Sequence, residues 1–180
     1  FKDGQITQAE KEHFQNFGTD KDIPLQNGKL RLESFKDKED FEYLLGLIPK
    51  YKLNKLSTEQ ARCNLNKFGH LFWTLYAGDT KVGVVYTSYI PNLGYTIDGY
   101  RDDESAKKVD NKVSFSYEAL KLVTDYMLNN ITDKLWTTHD IKNRGATILC
   151  KRYGYKVDRE MDTPLGRFVL MVRTKGGKNV

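Results

Sequence analysis

Three titratable side chains stand near the ends of strand-like runs, in positions suited to proton transfer. His139 and Asp140 end the run that begins at Trp136, and Asp98 lies near the end of the run LGYTIDGYR. The unperturbed pKa of histidine is about 6.5, so a histidine exchanges protons readily at neutral pH. We take Asp98 and His139 as candidate general bases. A surface histidine at a strand end is the alternative for His139, and Asp140 fits a turn or capping role better.

The segment that follows His139 predicts a turn and then a capped helix. Asn143 ends the polar turn and is a residue type favoured at the N-cap. Lys151 and Arg152 would lie in the last turn, where the helix dipole favours cations, and Gly154 suits the left-handed residue after the helix. Small and apolar side chains recur at helical spacing at Ala146, Leu149, Cys150 and Tyr153. Residues 155–157 then return the chain to an extended run.

Alternating and β-branched runs upstream predict the strands that position these residues. The run HLFWTLYAGDTKVGVVYTSYI predicts a hairpin, because Gly78 and Asp79 suit a tight primed turn between its two halves. After Pro91, LGYTIDGYR predicts a further strand, and KLRLESF predicts an earlier one. Helices are predicted for FEYLLGLIPK, from Ser57 onwards and over residues 7–17. This order predicts the α+β class, with a mixed α/β sheet that carries helices on its faces.

These motifs resemble the GNAT N-acetyltransferase superfamily. Its C-terminal half has Asn, a small residue three places on, a Leu-Tyr or Val-Leu pair, a basic residue and then Gly-Phe. Those places are held here by Asn143, Ala146, Leu149 with Cys150, Arg152, and Gly154 with Tyr155. Upstream, GYTIDGYR followed by FSYEALKLVTDYML is similar to the ribosomal-protein acetyltransferase branch, where a Tyr-x-Ile-Asp strand leads to a helix opening Glu-Ala-Leu. The resemblance covers residues 29–174 and implies a GNAT fold, with a mostly antiparallel twisted sheet and helices on both faces.

The resemblance implies an acetyl-CoA site just before the helix that contains Glu118-Ala119-Leu120. The family has Gln or Arg there, then two residues, Gly, one residue, and Gly or Ala. Asn111, Ser114 and Ser116 hold the three motif positions. Serine keeps the backbone N–H and adds a hydroxyl that can donate to phosphate or cap the helix, but it loses the freedom of glycine at positive φ. The residues expected to bind the cofactor are Ile97, Asn111, Lys112, Val113, Ser114, Phe115, Ser116, Tyr117 and Asn143.

The resemblance also implies direct attack of an acceptor amine on the thioester. A backbone N–H near Ile97 would then stabilise the oxyanion. Many family members have a tyrosine that protonates the departing thiolate, and Cys150 holds that place here. A thiol pKa near 8.5 suits this role, so Cys150→Ala is expected to lower turnover. Burial of Cys150 in the core is the alternative, and Tyr153 and Tyr155 are alternative proton donors, although the resemblance implies a packing role for Tyr155. The candidate catalytic residues are therefore Cys150, His139 and Asp98.

Length and composition favour one globular domain in this chain of 180 residues. We expect an N-terminal extension over residues 1–28, the domain over residues 29–174 and a flexible tail over residues 175–180. Cys63 and Cys150 lack metal-ligand spacing, so we predict no metal site and a reducing, cytoplasmic compartment. No apolar run approaches the length of a membrane span, so we expect no membrane association.

Several partners remain open at this level. A net charge of +5 suits a phosphate-rich cofactor or a nucleic acid. The acceptor is a protein N-terminus, a lysine or a small amine, and the protein is a monomer or a homodimer. One alternative is a GNAT-fold binding module that has lost catalysis, because the motif glycines and the tyrosine are replaced. Others are a GNAT-like enzyme that modifies nucleic-acid bases, and a nucleic-acid-binding domain with the aromatic strands HLFWTLY and GYTIDGY.

The charged stretch RDDESAKKVDN is expected to be a solvated loop, with substrate gating or partner binding as the alternative.

Overall fold

A computed structural model describes residues 22–28, 30–36, 38–50, 70–109 and 114–176. The strands are β1 Leu25–Asn27, β2 Leu30–Ser34, β3 His70–Ala77, β4 Thr80–Ile90, β5 Gly94–Arg101, β6 Lys134–Asp140, β7 Lys156–Thr163 and β8 Gly166–Thr174. The helices are α1 Lys38–Leu47, continued by a 3₁₀ turn at Ile48–Lys50, α2 Asp103–Ala106, α3 Phe115–Asn130 and α4 Arg144–Arg152. Within these ranges, none of the helices has the length and hydropathy needed to span a membrane. The helices predicted over residues 7–17 and from Ser57 lie outside the described ranges.

The strands form one mixed sheet in the order β1-β2-β3-β4-β5-β6-β8-β7. Every neighbouring pair is antiparallel except β5 and β6, which run parallel. A parallel pair requires a crossover connection, and α3 supplies it between β5 and β6. The predicted fold class, a mostly antiparallel sheet with helices on its faces, is therefore confirmed.

Two apolar cores cover opposite faces of the sheet. The larger core joins the sheet to α3 and to the end of α4, with Val123, Met127 and Leu135 fully buried. The smaller core joins the sheet to α1, with Phe41 and Leu44 fully buried. Because successive side chains of a strand point to opposite faces, membership of these cores assigns each strand residue to a face. We call the two sides the α3 face and the α1 face.

The predicted hairpin is formed by β3 and β4. Ala77 pairs with Thr80, so Gly78 and Asp79 form a two-residue turn. Gly78 has a φ of +63° while Asp79 stays at negative φ, which is the pattern of a type II′ turn. The strand pair extends to His70 opposite Ser88, and β5 continues the meander antiparallel to β4.

The helix predicted after Asn143 is also present, as α4. The Oδ1 atom of Asn143 accepts a hydrogen bond from the backbone N–H of Ala146 at 3.2 Å, which makes Asn143 the N-cap. Lys151 and Arg152 lie in the last turn. Gly154 follows with a φ of +85°, so the prediction of a left-handed glycine past the end of the helix is confirmed.

Gly154 faces the buried side chain of Arg173 at close range. A Cβ atom on Gly154 would lie 2.9 Å from Arg173 Nε. That nitrogen has little room to move, because it donates to the Tyr153 carbonyl at 2.9 Å from a side chain that is buried. We expect Gly154→Ala to lower the free energy of unfolding by about 3 kcal/mol, since overlap with Arg173 adds to the roughly 1–2 kcal/mol cost of a left-handed residue. Denaturant unfolding measures this loss.

Gly78→Ala is the matched control for that substitution. Gly78 has a similar φ of +63°, but no atom lies within 4 Å of the position its Cβ would take. This variant should therefore show the backbone cost alone. Equal losses in the two variants would mean that contact with Arg173 contributes nothing.

The sequence predicts a solvated loop after β5, and this prediction is wrong for part of the charged stretch. Asp102 accepts a hydrogen bond from the backbone N–H of Ser105 at 3.2 Å and so caps the short helix α2. Ala106 is fully buried in the core of the α3 face. The Tyr43 hydroxyl of α1 donates to Asp102 at 2.8 Å. An aspartate cap and one buried methyl group thus anchor a stretch whose charge alone indicates solvent exposure.

The sheet begins earlier than the predicted domain boundary at residue 29. β1 pairs with β2 from Leu25 opposite Leu32 to Asn27 opposite Leu30. Leu25 also packs against the core of the α3 face. Residues 25–27 therefore form part of the sheet, although their three-residue strand carries too short a pattern to be predicted.

Candidate active site

β5 and β6 part soon after they meet. In the described residues their parallel ladder is the single pair of Thr96 with Trp136. Beyond it, β5 stays paired with β4 as far as Arg101, and β6 stays paired with β8 as far as Asp140. Each strand is thus held by its other neighbour while the two diverge. A cavity of about 420 Å³ occupies the gap between them.

The cavity is lined from both faces of the sheet. Ile97 belongs to the core of the α3 face, and Tyr100 packs against the core of the α1 face. Asp98 pairs with Tyr86 of β4 and lies on the α1 face, because it is two residues from Tyr100. From the α3 face, the lining residues are Phe115, Ser116, Ala119, Leu120, Ala146, Leu149 and Cys150. Groups that approach from opposite faces can therefore meet in this one space.

The N-terminus of α3 opens beside the cavity. Ser114 is its N-cap and accepts a hydrogen bond from the backbone N–H of Tyr117 at 3.3 Å. Ser116 lines the cavity, whereas the Phe115 side chain is buried in the core and leaves only its backbone available. The Tyr117 ring turns away towards Arg152, whose guanidinium lies 4.6 Å from the ring centre. Unpaired N–H groups and the helix dipole make such an end suitable for an anion.

Asp98 is a carboxylate that faces the cavity from the α1 face. Its Oδ1 atom accepts a hydrogen bond from the Gly99 backbone N–H at 2.8 Å, and the Tyr86 hydroxyl lies 3.5 Å from Oδ2. The Asp98 side chain is exposed to solvent at the cavity. The protein atoms packed around its carboxylate raise the pKa of Asp98 to about 6, against the opposing effect of both hydrogen bonds. Asp98 is therefore a stronger base than an ordinary aspartate and is still largely ionised at neutral pH.

His139 lines the same cavity from the other face. It pairs with Val169, which belongs to the core of the α3 face. Its Nε2 atom is 2.8 Å from the hydroxyl oxygen of Thr147 in α4. Burial lowers the pKa of His139 below its usual value, although the charge of Asp140 partly opposes this. The imidazole is therefore neutral at neutral pH and is held towards α4. Asp140 itself accepts from the Lys142 N–H at 2.9 Å, as expected of a turn residue.

Cys150 lines the cavity from α4 but is only 5% exposed. Burial, together with the negative charge of Asp98, raises the pKa of the Cys150 thiol to about 12. The expectation that this thiol has an ordinary pKa near 8.5 is thus not met. A thiol with so high a pKa is a poor proton donor to a thiolate of ordinary basicity.

The cavity brings together most of the residues that the sequence indicates. They are Ile97, Asp98, Phe115, Ser116, His139, Asn143 and Cys150. Ser114 caps α3 and Tyr117 lies in its first turn, but neither residue lines the cavity. Asn111, Lys112 and Val113 lie outside the described residues.

Tyr100 and Arg101 are polar lining residues of the cavity that were not singled out from the sequence. Both lie in β5, where Tyr100 shares the α1 face with Asp98 and Arg101 forms an ion pair with Asp103 at 3.2 Å. The strand alternation of GYTIDGYR carried the signal for Tyr100, because it stands two residues after Asp98. The sequence does not indicate that β6 separates from β5 beyond Thr96, which leaves the side chains of both strands facing a gap.

Comparison with known proteins identifies this architecture. No protein-family model matches the chain, and no curated protein is similar to it in sequence. Among solved structures, it is similar to a GNAT-family acetyltransferase from Bacillus anthracis, with 13% identity over 86% of this chain and 99% of that one and a TM-score of 0.62. A chimeric spermidine N-acetyltransferase from Vibrio cholerae gives 13% identity, 85% and 100% coverage and a TM-score of 0.67. A ribosomal alpha-N-protein acetyltransferase in complex with coenzyme A is 11% identical over 86% of this chain and 99% of that one, with a TM-score of 0.65.

These similarities concern the fold. At 11–13% identity, over nearly the full length of each solved structure, they show that the chain has the GNAT fold. The resemblance drawn from Asn143, Gly154 and the GYTIDGYR strand is thereby confirmed at this level, and the similar structures include the ribosomal-protein branch.

Proposed function

We propose that the protein is an acetyl-CoA-dependent N-acetyltransferase, in which an acceptor amine attacks the thioester directly. The observation that supports this most is the cavity between β5 and β6, with the N-terminus of α3 on one face of the sheet and the Asp98 carboxylate on the other. Transfer between two substrates requires that they meet in one space protected from bulk water. The similar structures named for spermidine and for a ribosomal protein act on amines, and one of them binds coenzyme A.

Acetyl-CoA is proposed to bind from the α3 face, with its pyrophosphate at the start of α3. The Ser114 oxygen accepts from the Tyr117 N–H, so its own O–H proton remains able to donate to phosphate. Ser116 lines the cavity next to it. The proposed binding residues therefore include Ser114 to Tyr117, Ile97 and Asn143. Asn111, Lys112 and Val113 remain part of the proposal from the motif alone.

Asp98 is proposed as the general base in preference to His139. If the cofactor occupies the α3 face, the acceptor amine approaches from the α1 face, where Asp98 lies. His139 lies on the α3 face and is engaged by Thr147. The pKa of Asp98 is raised towards neutrality, so its carboxylate is a stronger base than that of an ordinary aspartate, which suits proton removal. Geometry and acidity thus favour the same residue.

The proposed reaction converts an acceptor ammonium and a thioester into an amide and a free thiol. An acceptor ammonium gives one proton to Asp98, and the resulting neutral amine forms a C–N bond with the thioester carbonyl carbon. The oxyanion accepts from a backbone N–H of β5 near Ile97, past the end of the ladder with β6. The C–S bond breaks, the nitrogen loses its second proton, and the thiolate takes up one proton. The products are the amide, the free thiol and one proton, which Asp98 releases to solvent.

Cys150 is proposed to serve packing rather than proton transfer, which reverses the expectation from its motif position. Because burial raises its pKa to about 12, the thiol holds its proton too tightly to protonate the departing thiolate. We expect Cys150→Ala to leave kcat within about threefold of the parent and to lower the stability by about 1–2 kcal/mol through lost apolar contacts. Steady-state kinetics and denaturant unfolding check the two effects. A loss of kcat of about a hundredfold or more would restore Cys150 to the role of acid.

A calorimetric titration with acetyl-CoA followed by an amine screen tests the proposed function. Turnover is measured as free thiol released in the presence of each amine. Absence of binding up to high micromolar acetyl-CoA would exclude the enzyme. Binding without turnover on any amine would instead support the alternative of a catalytically inactive GNAT-fold binding module.

A further inference from the structure

A row of stacked aromatic rings runs along the α1 face towards the cavity. Phe35 and Phe72 stack with ring centres 5.0 Å apart, and Phe72 and Tyr86 stack at 5.4 Å. Tyr86 and Tyr100 follow at 6.5 Å with an interplanar angle of 17°. Tyr100 ends the row and lines the cavity. The acceptor side of the proposed site is therefore bordered by an aromatic side chain that its neighbours hold in place.

A carboxylate stands beside this end of the row without a cation to balance it. The described residues contain no ion-pair partner of Asp98, whose contacts are the Gly99 N–H and the Tyr86 hydroxyl. The cavity-lining cation Arg101 is turned to Asp103, 3.2 Å away. An accessible carboxylate without a paired cation, beside an aromatic ring, is the arrangement that attracts an organic cation.

We infer that Asp98, Tyr86 and Tyr100 form an ammonium pocket that selects a protonated alkyl amine as the acceptor. The inference rests on the proposed function, since it specifies the acceptor of the same site. Asp98 supplies the charge, Tyr100 supplies a ring face, and Tyr86 positions the carboxylate through its hydroxyl. The same carboxylate that recognises the ammonium then takes its proton, so recognition and activation use one group.

The pocket discriminates against amines that are neutral at neutral pH. Arylamines and the amino groups of nucleic-acid bases carry no positive charge there, so they gain nothing from Asp98 and leave its charge partly desolvated. Val84 belongs to the core of the α1 face and lines the cavity, so the wall on the acceptor side has an apolar part that suits an alkyl chain better than a polar one. The raised pKa of Asp98 agrees with a carboxylate that lacks its counter-ion. Alkyl ammonium groups occur both on free amines and on lysine side chains, and the chemistry recognised is the same.

Binding of n-hexylamine against n-hexanol tests the pocket without requiring turnover. The two probes have the same alkyl chain, and only the amine is charged at neutral pH. With the complete chain at neutral pH, titration calorimetry should give an affinity for n-hexylamine at least about tenfold above that for n-hexanol. Asp98→Asn should abolish this preference while the affinity for n-hexanol stays the same. Equal binding of the two probes by the parent protein would overturn the inference.

Variants of Tyr100 test the aromatic part of the pocket. Tyr100→Leu should weaken n-hexylamine binding about five- to tenfold, because it removes the ring face and keeps an apolar side chain. Tyr100→Phe keeps the ring and should restore the affinity to within about twofold. Loss of affinity in both variants to the same degree would contradict the role of the ring, and thermal unfolding identifies a variant that has lost its fold.

The outcome can be separated from that of the proposed function. If acetyl-CoA does not bind, the proposed acetyltransferase function is excluded, but a measured preference for n-hexylamine over n-hexanol still stands. If acetyl-CoA binds, the rates of acetylation of n-hexylamine, Nα-acetyl-lysine amide and aniline are compared. Acetylation of either alkyl amine in preference to aniline supports the pocket, and the faster of the two distinguishes a free amine from a lysine side chain. Preference for aniline over both would overturn the inference even though the protein is an acetyltransferase.

Discussion

Asp98→Asn is expected to lower kcat/KM for amine acetylation by a factor of about a hundred to ten thousand, while the affinity for acetyl-CoA changes little. The substitution keeps the shape of the side chain and an oxygen that can accept from the Gly99 N–H, a contact of 2.8 Å. It removes only the group able to take a proton from the acceptor. Initial rates at saturating acetyl-CoA, with affinity measured separately by calorimetry, check both parts of the prediction.

The pH profile provides a second readout of the same group. Burial raises the pKa of Asp98 to about 6, so the carboxylate is available above this pH and protonated below it. The acid limb of kcat/KM should therefore rise with a midpoint near the pKa of Asp98, and Asp98→Asn should remove this midpoint. The free energy of unfolding depends on pH in the opposite direction to the rate. A folded-state pKa above the unfolded value favours the neutral acid, so the contribution of Asp98 to stability is lost as the pH rises through the folded pKa.

A matched control is available on the edge strand β7. Asp158 is an exposed carboxylate on the strand surface, so Asp158→Asn makes the same chemical change away from the cavity. This variant should retain the parental rate and pH profile. If Asp98→Asn also retains them, Asp98 is not the base, and His139 becomes the candidate to test next.

The parts of the fold that follow local rules were predictable from the sequence. The cap at Asn143 and the glycine at Gly154 satisfy backbone groups within one helix, so residue type alone identifies them. The turn at Gly78 depends on two residues and their flanking strands. By contrast, the three-residue strand β1 forms because Leu25 finds a sheet edge and a core to pack against, and neither appears in its local pattern.

The candidate site was predictable in composition but not in arrangement. Strand alternation assigns Asp98 and Tyr100 to one face of β5, yet the pattern does not reveal that β6 leaves β5 after Thr96. For Cys150, the motif position indicates the role of an acid, whereas packing raises its pKa and favours the packing role proposed above. The acidity of a group depends on atoms brought from several elements, so it becomes visible only once the chain is folded.

The two faces of the sheet differ in the charge of the substrate that they suit under the proposed function. On the α3 face, a helix N-terminus and the Ser114 and Ser116 hydroxyls offer donors, which suit a phosphate-bearing molecule. On the α1 face, the Asp98 carboxylate and the Tyr100 ring suit a cation. A wrong orientation would bring the phosphates near a carboxylate and the ammonium near a helix N-terminus. Under the proposed function, charge therefore directs each substrate to its own side of the parted strands.

Ser114→Asp should weaken acetyl-CoA binding by roughly 10- to 100-fold without unfolding α3. The Ser114 side chain caps the helix by accepting from the Tyr117 N–H at 3.3 Å, and aspartate is about as good an N-cap as serine. The variant therefore keeps the helix and adds one negative charge beside the proposed pyrophosphate position. Two like charges about 4 Å apart repel by about 1 kcal/mol in water and about 4 kcal/mol near a protein surface, which covers the predicted loss. Calorimetric titration measures it.

Ser114→Asn separates the charge from the cap. Asparagine caps a helix about as well as aspartate and carries no charge, so its affinity for acetyl-CoA should stay within a few-fold of the parent. The loss in Ser114→Asp should also shrink at high salt, because screening weakens repulsion between exposed charges. If both variants lose affinity equally, the hydroxyl itself makes the contact and charge is secondary.

A truncated donor decides whether the charge acts on the phosphates. S-acetyl-pantetheine carries the same thioester but no pyrophosphate, so the added carboxylate in Ser114→Asp has nothing to repel. The ratio of parent to variant kcat/KM should be about 10 to 100 with acetyl-CoA and should approach unity with S-acetyl-pantetheine. The same ratio with both donors would mean that the substitution acts by distorting the cavity and not by repelling the phosphates. An unchanged affinity for acetyl-CoA would instead mean that the phosphates bind away from the start of α3, and the assignment of the α3 face to the cofactor would fall with it.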